Sequence, residues 1–334
     1  MRRKPLRPRI RRILAEAGRL ADTPEGVRLK RLRRLFAVMA LLPLAGLALA
    51  DFLFGGGSAG VPLPVRLLVL PGWVVLSAWL LVRFPQAGFE LLALALVVTA
   101  CIVLLPAVQW IAAGAGPAFR LATGVALAGA ALAAWIRLCT ALPLAALYAP
   151  RRRRRIRLRL RWTGDPAQAM AALRLGPGTE TPFHRAGPLD AKGWFDVWTK
   201  TECRSLCWAM DETPEFAADF RVRILDEGPF WQEIETASVA PDGWRVTTRR
   251  SVRVEPARHG TTRIRFTEEG DGLSDLLLLF YWLTDHWRDQ LTARLDHGAG
   301  LPQRAVCTLP PDGPRAALLR RLPFGAMLQP RAHD

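Results

Sequence analysis

Four apolar stretches, separated by short turn-rich breaks, fill the chain between Leu35 and Tyr148 and contain almost no charged residues. They run over residues 35–54, 67–82, 91–113 and 121–148. A helix needs about 20 residues to cross a hydrocarbon core of roughly 30 Å. The pattern therefore predicts four transmembrane helices in two hairpins, with a very hydrophobic soluble helical core as the alternative.

The fourth stretch also carries small residues at or near a four-residue spacing, namely Gly124, Ala128, Gly129 and Ala133. Small side chains allow membrane helices to approach closely. This spacing predicts tight packing within the bundle or a homo-oligomer formed through the transmembrane helices.

The pattern changes to period two after residue 155. Alternating apolar and arginine residues over 156–162 predict a half-buried strand, and Asp165-Pro166 predicts the start of a short helix. Further strands are predicted near 193–202, 204–210, 220–225, 230–239, 244–254 and 261–267, separated by turn signals typical of antiparallel hairpins. The alternation over 244–254 gives this sheet one apolar face and one arginine-rich face.

The period changes again near the C-terminal end of this region. Leu276, Phe280, Leu283, Trp287 and Leu291 form one apolar stripe at helical spacing, with Asp285, Arg288, Asp289, Thr292 and Asp296 on the opposite face. A long amphipathic helix that follows a sheet buries its stripe on the apolar face of that sheet. The predicted fold is thus an all-α membrane region with four transmembrane helices, followed by an α+β domain with an antiparallel sheet and a long C-terminal helix.

The distribution of charge along the chain indicates the membrane topology. The chain has 46 Lys plus Arg and 29 Asp plus Glu, a net charge of +17. Residues 1–34 carry +10, 35–150 carry +2, 151–162 carry +8 and 163–334 carry −3. Because a nucleic-acid-binding domain carries its own basic face, the predicted soluble domain with net charge −3 argues against nucleic acid as a partner.

Basic residues collect on the cytoplasmic side of membrane helices. The two basic runs flank the apolar region, so an even number of helices places both termini and the soluble domain on the cytoplasmic side of the cell membrane. Next to a membrane helix such runs attract anionic lipids. The predicted membrane-surface residues are Arg31, Arg33, Arg34, Arg151, Arg152, Arg153, Arg154 and Arg155.

Two alternatives concern the N-terminal part. Ala48-Leu49-Ala50 resembles a signal-peptidase site, but the preceding basic and apolar regions are longer than those of a signal peptide. Residues 6–20 follow helical spacing with interspersed arginines, which fits an interfacial helix or a disordered basic arm.

The order of strand, helix, antiparallel strands and long helix over 156–297 resembles the START and polyketide-cyclase-like (SRPBCC) superfamily with its helix-grip fold. The local sequences Phe220-Arg-Val-Arg-Ile-Leu-Asp-Glu-Gly, Thr262-Arg-Ile-Arg-Phe-Thr-Glu and Trp282-Leu-Thr-Asp-His-Trp-Arg-Asp-Gln-Leu carry the likeness. The resemblance implies a hydrophobic cavity between sheet and helix that holds a lipid or another apolar small molecule. The ligand-binding residues expected on that basis are Val246, Thr248, Arg250, Ile264, Phe266, Phe280, Leu283 and Trp287.

The predicted organisation has five parts. These are a basic N-terminal segment (1–34), the transmembrane region (35–150), a basic juxtamembrane run (151–155), the START-like domain (156–297) and a C-terminal tail (298–334) that includes a candidate basic helix over 315–322.

Candidate catalytic groups are few. Glu233 and Glu235 alternate along one strand, and His286 lies at the edge of the helical stripe beside Asp289. A buried carboxylate or a histidine paired with one would serve as acid or base. Arg250, on the apolar face, is a candidate anchor for a carboxylate or phosphate group.

No metal and no cofactor are predicted. Cys203 and Cys207 lack a second ligand pair, because His184, His259 and Cys307 show no matching spacing. No phosphate loop, dinucleotide fingerprint or nucleophile elbow occurs.

The favoured function is a membrane-anchored protein that binds an apolar ligand. A membrane-attached cyclase or hydrolase and a ligand-responsive sensor are the alternatives.

Overall fold

The computed structural model describes residues 23–54, 63–85, 87–112, 116–199, 220–239, 245–258, 260–271, 274–302 and 305–306. The predicted segment over 6–20, the predicted strand at 204–210, Cys203, Cys207, His259, Cys307 and the tail beyond 306 lie outside the described residues. The chain divides into two compact units, Met1–Trp135 and Ile136–Asp334.

Five helices precede the sheet. They are α1 (Pro24–Arg31), α2 (Arg33–Phe54), α3 (Leu63–Arg83), α4 (Gly88–Ala112) and α5 (Pro117–Tyr148). The Thr23 hydroxyl caps α1 by accepting a hydrogen bond from the Gly26 amide (3.1 Å), and Pro24 starts the helix where no amide donor is needed.

Three segments in the described residues are long and apolar enough to cross a membrane: Arg33–Leu53, Gly88–Val108 and Pro117–Ala146. They indicate a membrane protein. The sequence predicted four such helices, but α3 contributes only the shorter apolar segment Leu70–Arg83 by this measure.

Small side chains and tryptophan hydrogen bonds bring the helices of the first unit together. A Cβ atom on Gly46 of α2 would lie 2.8 Å from the Thr99 side chain of α4, so glycine permits this close approach. The Trp73 indole donates to the Met39 carbonyl (2.8 Å), and the Trp135 indole donates to the Glu90 carbonyl (3.0 Å). A groove of about 350 Å³ between α4 and α5 has an entirely apolar lining.

The described strands of the second unit form one seven-stranded antiparallel sheet in the order β1-β7-β6-β5-β4-β3-β2. Their bounds are β1 Arg154–Thr163, β2 His184–Ala186, β3 Trp194–Thr199, β4 Phe220–Gly228, β5 Trp231–Val239, β6 Arg245–Pro256 and β7 Thr261–Gly270. The predicted antiparallel sheet followed by C-terminal helices is confirmed. The short β2 lies in a segment for which the sequence predicts no strand.

Three helices accompany the sheet: α6 (Pro166–Leu173), α7 (Asp275–Leu283) and α8 (His286–Gly298). The sequence predicted a single long C-terminal helix, but the chain breaks between α7 and α8. Asp285 adopts a left-handed conformation (φ 52°), which aspartate tolerates better than most residues. The Thr284 hydroxyl donates to the Phe280 carbonyl (3.0 Å) at the end of α7, so local hydrogen bonding favours the break.

The polar face of α8 also differs from the prediction. Asp285, Asp289 and Asp296 were expected on the solvent side, yet all three are buried. The reason is that residues after α8 cover this face: the Val306 amide donates to the Asp289 carboxylate (3.0 Å), and Ala305 packs with Phe183 and Ala293. Helix α8 is therefore covered on both sides.

Candidate ligand-binding site

The inner face of the sheet packs two separate apolar clusters. One joins β1, β6 and β7 to α6 and α8, through residues that include Leu160, Val252, Phe266 and Leu291. The other joins β3, β4 and β5 and includes Phe195, Val222 and Ile234. Period-two alternation explains both, because every second residue of each strand points to this face.

A space of about 40 Å³ lies between residues of the two clusters. Its apolar lining comes from Leu173, Leu175, Ile234, Val252, Phe266, Trp287 and Leu291, and its polar lining from Gln232, Arg250, Gln290 and Arg294. The sequence predicted a hydrophobic cavity at this place, whereas the lining is mixed. The polar side chains come from one face of α8 and from the inward positions of β5 and β6.

A second space of about 150 Å³ adjoins the first. Arg250, Gln290 and Arg294 line both spaces, and Phe183, His184, Thr199 and Phe220 complete the second. Two arginines, one glutamine and one histidine thus surround its interior. Such a lining suits a ligand that carries a polar or negatively charged group beside an apolar part.

Arg250 is held by a carboxylate on the neighbouring strand. Its Nε and Nη2 atoms contact one Glu268 carboxylate oxygen at 3.0 and 2.9 Å, and its guanidinium lies 5.5 Å from the centre of the Phe266 ring. Arg250 and Glu268 are directly paired across β6 and β7. Because a guanidinium has five N–H donors, this pair orients Arg250 and leaves the Nη1 donors unused by Glu268.

Gln232, which lines the smaller space, connects β5 to the chain segment after α6 by two hydrogen bonds. Its side-chain amide donates to the Leu175 carbonyl (2.8 Å), and its side-chain oxygen accepts from the Leu175 amide (3.0 Å). Both bonds are buried. They fix the chain after α6 against β5 and place Leu175 in the lining.

His184 is buried in β2 and lines the larger space together with Arg250. The Thr181 hydroxyl lies 3.1 Å from its Nδ1 atom and also accepts from the amides of Phe183 and His184. This hydroxyl turn holds the imidazole in one orientation.

His286 begins α8 and stacks on Tyr281, with ring centres 4.2 Å apart and planes 7° apart. Trp287 approaches the same Tyr281 ring edge-on. Burial, and to a lesser extent the positive charge of Arg250, lower the pKa of His286 to about 4. The imidazole is therefore neutral at pH 7, but it does not line either of the two spaces.

Glu233 and Glu235 point to the outer face of β5, away from the helices. Glu233 pairs with Arg249, and Glu235 pairs with Arg223 (2.5 Å). The hydrogen bond from Arg249 lowers the pKa of Glu233 below its usual value. The inward positions of the strand belong to Gln232 and Ile234.

Of the eight residues predicted to bind a ligand, the two spaces bring together Arg250, Phe266 and Trp287. Ile264 lies fully buried in the adjoining cluster, and Phe280 and Leu283 are buried on α7. Val246 and Thr248 are half-buried on β6 and line neither space.

Sequence reasoning missed the lining residues Gln290, Arg294, Gln232 and His184. Gln290 and Arg294 follow Trp287 at three and seven positions along the helix, so the helical stripe carried a signal for them.

Among the described residues, no group of three or more His, Cys, Asp or Glu side chains is arranged to hold a metal ion.

No family model matches this chain, and no curated protein matches it. Among solved structures it is similar to a norcoclaurine synthase point mutant from Thalictrum flavum bound to a transition-state analogue, with 11% identity and a TM-score of 0.29 over 46% of this chain and 98% of that chain. It is also similar to an uncharacterised protein from Rhizobium leguminosarum, with 15% identity and a TM-score of 0.25 over 44% of this chain and 98% of that chain. The function is therefore argued from the residues of this chain.

Proposed function

We propose that this chain is a membrane-anchored binding protein whose sheet domain holds a small amphipathic molecule between the inner face of the sheet and α8. The observation that supports this most is the space at the junction of the two apolar clusters, where Arg250, Gln290 and Arg294 meet apolar side chains of the sheet and of α8. A core built only for stability would fill this junction with apolar side chains.

The lining suggests the chemistry of the ligand. Its apolar part would contact Leu173, Val252, Phe266 and Leu291, and burying that surface would favour binding by about 25 cal/mol per Å². Its polar or anionic end would face Arg250 and Arg294.

The size of the space limits the ligand further. Even together, the two spaces fall below the roughly 300 Å³ at which ligand pockets usually begin. A small amphipathic molecule or the end of a single acyl chain fits this size better than a whole phospholipid.

In this proposal the membrane helices hold the sheet domain next to the bilayer, from which the ligand would come. Four transmembrane helices, including α3, would anchor both termini and the sheet domain on the cytoplasmic side of the cell membrane. Two basic runs would hold anionic lipid there, at 31–34 and 151–155. The small residues of α5 would allow self-association, because Gly124 and Gly129 have open space where a Cβ atom would lie.

An enzymatic function has one group in its favour, the neutral imidazole of His286. A neutral histidine can take a proton from a substrate that it touches, but His286 lines neither of the two spaces. In addition, Glu233 and Glu235 lie on the other side of the sheet, Asp289 accepts a hydrogen bond from the Val306 amide, and Glu268 already holds Arg250. Binding is the function that the geometry favours.

Native mass spectrometry of the full chain released from detergent micelles tests the proposal. We expect a co-purifying molecule with a mass below that of a phospholipid. Gln290→Trp should abolish the adduct, because Gln290 lines both spaces and the indole would fill them.

Ala171→Trp is the matched control, since it adds the same indole to an exposed position of α6. It should retain the adduct. A wild-type chain that carries no adduct, or an adduct that persists in Gln290→Trp at wild-type occupancy, would refute binding at this site.

A further inference from the structure

The outer face of β1, β7 and β6 is strongly basic. β1 contributes Arg155, Arg157, Arg159 and Arg161 to this face, β7 contributes two arginines and β6 three, whereas only two acidic residues, Glu255 and Glu269, share it. We call these outward residues of β1, β7 and β6 the arginine face. Its charge contrasts with the net charge of −3 of residues 163–334.

The other half of the same outer face is balanced. The outward residues of β5 to β2 include three arginines and four acidic side chains, and these form ion pairs such as Arg223–Glu235 (2.5 Å) and Arg221–Asp196 (3.0 Å). The excess of positive charge is therefore confined to the half of the sheet that includes β1.

Strand register brings arginines into direct opposition on the arginine face. Arg159 of β1 is paired with Arg265 of β7, which is paired on its other side with Arg253 of β6. Adjacent strands are about 4.8 Å apart, so this row places three guanidinium-bearing residues within roughly 10 Å. Like charges directly opposite each other destabilise a sheet, and this arrangement is relieved when an external anion binds.

Few of these charges are neutralised within the protein. Arg265 pairs with Glu255 (3.0 Å), and Arg155 lies 3.8 Å from Glu269. By contrast, six arginines of the face form no ion pair with any residue in the described part of the chain: Arg157, Arg159, Arg161, Arg245, Arg253 and Arg263. Three of these six lie on β1.

We propose that the arginine face binds the anionic headgroups of the membrane in which the chain is anchored. Apolar helix α5 ends at Tyr148 and β1 begins at Arg154, so at most about 20 Å of extended chain separates β1 from the end of that helix. A tether of this length keeps the face at a high effective concentration next to the bilayer.

The chemistry of the face suits lipid phosphates. Arginine binds phosphate through two parallel N–H donors, and its guanidinium loses hydration more easily than an ammonium group. The inference goes beyond the proposed ligand site, because it concerns the opposite face of the sheet and does not require the cavity to be occupied.

Arginine footprinting of the full chain in nanodiscs tests this. p-Hydroxyphenylglyoxal is applied to the chain in phosphatidylcholine nanodiscs and in nanodiscs with 30% phosphatidylserine, and the modification rate of each arginine is measured by peptide mass spectrometry. We expect Arg157, Arg159, Arg161 and Arg253 to react at least about threefold more slowly with phosphatidylserine present. Arg185, on the balanced half, should react at the same rate in both.

The same measurement at high salt and with substituted arginines tests whether the protection is electrostatic. Protection should largely disappear at 1 M salt, where the Debye length falls to about 3 Å. In the triple variant R157Q/R159Q/R161Q, the protection of Arg253 should decrease towards the value in neutral nanodiscs. The matched variant R157K/R159K/R161K retains the charge and should keep that protection.

Three outcomes would overturn the proposal. The first is equal reactivity of the arginines in the two kinds of nanodisc, and the second is equal protection of Arg185. The third is that phosphatidylserine has no effect, while added duplex RNA or an acidic peptide protects the arginines in neutral nanodiscs at 0.15 M salt. The last two of these would assign the face to a general or a different partner. An empty cavity in the mass-spectrometric experiment above would leave the footprinting result unchanged, so the two proposals fail separately.

Discussion

The two faces of the sheet are built from alternate residues of the same strands, yet they differ in almost every physical property. In β1 the inward residues Leu160 and Trp162 are buried, while Arg159 and Arg161 between them are exposed. The inner face derives its stability from burial and leaves one polar junction at Arg250. The outer face derives little stability from its own charges. Alternate residues of one strand thus form a packed core on one side of the sheet and an arginine-rich surface on the other.

The largest expected effect comes from the inner face. Ile264 is fully buried, so Ile264→Ala should lower the free energy of unfolding of the sheet domain by about 2–5 kcal/mol. Thr267→Ala, on the outer face of the same strand, should change it by less than about 0.5 kcal/mol. Urea unfolding of the full chain in detergent, followed by tryptophan fluorescence, measures both. Equal effects would mean that the two faces are not distinct in burial.

The next effect depends on pH. The pKa of His286 is about 4 in the folded chain and near 6.5 when the side chain is exposed to water. Between these values the unfolded chain binds a proton that the folded chain does not, so the free energy of unfolding should fall as the pH is lowered from about 6.5 towards 4. Because His286 is only half-buried, the difference should stay below the roughly 3 kcal/mol that the full shift would give.

His286→Gln isolates this contribution from that of other titrating groups. The variant should show a smaller loss of stability than the wild type over the same pH range, in parallel urea titrations. Parallel pH profiles for the two proteins would contradict the enclosed position of His286 next to Tyr281 and Trp287.

Ion pairs on the two faces should also differ in how much they contribute to the free energy of unfolding. Glu268→Gln leaves the partly buried charge of Arg250 without its carboxylate, and we expect a loss of about 2 kcal/mol, less than for a fully buried pair. Glu255→Gln removes the exposed partner of Arg265 and should cost less than about 1 kcal/mol. Thermal unfolding of the two variants compares them directly, and the reverse order would be incompatible with the burial of the two pairs.

Much of this fold follows from periodicity. The alternation over 156–162 predicted β1 and the orientation of its side chains, and the apolar stretches predicted the helices that precede it. The alternation also predicted one arginine-rich face of the sheet, but it could not show that β7 lies between β1 and β6, which brings the arginines of these three strands onto one surface.

The candidate site was harder to predict for a physical reason. In β5, Glu233 and Glu235 alternate with Gln232 and Ile234, and either set could have faced the core. Register with β4 and β6 settles the matter, because it pairs Glu235 with Arg223 and Glu233 with Ser251. The break at Asp285 was also missed, since helical spacing continues across it. Burial of Asp289 depends on a hydrogen bond from Val306, seventeen residues away, which no local pattern reveals.

The central claim, that a small molecule occupies the inner face, is tested most directly by photo-crosslinking in the membrane. Gln290→photo-methionine, a diazirine residue of about the size of glutamine that leaves the two spaces open, is introduced into the full chain, intact cells are irradiated, and the peptide that carries position 290 is analysed by mass spectrometry. Ala171→photo-methionine serves as the control. The account predicts a small-molecule adduct at position 290 and none at position 171. Crosslinks from position 290 only to other residues of this chain would contradict it.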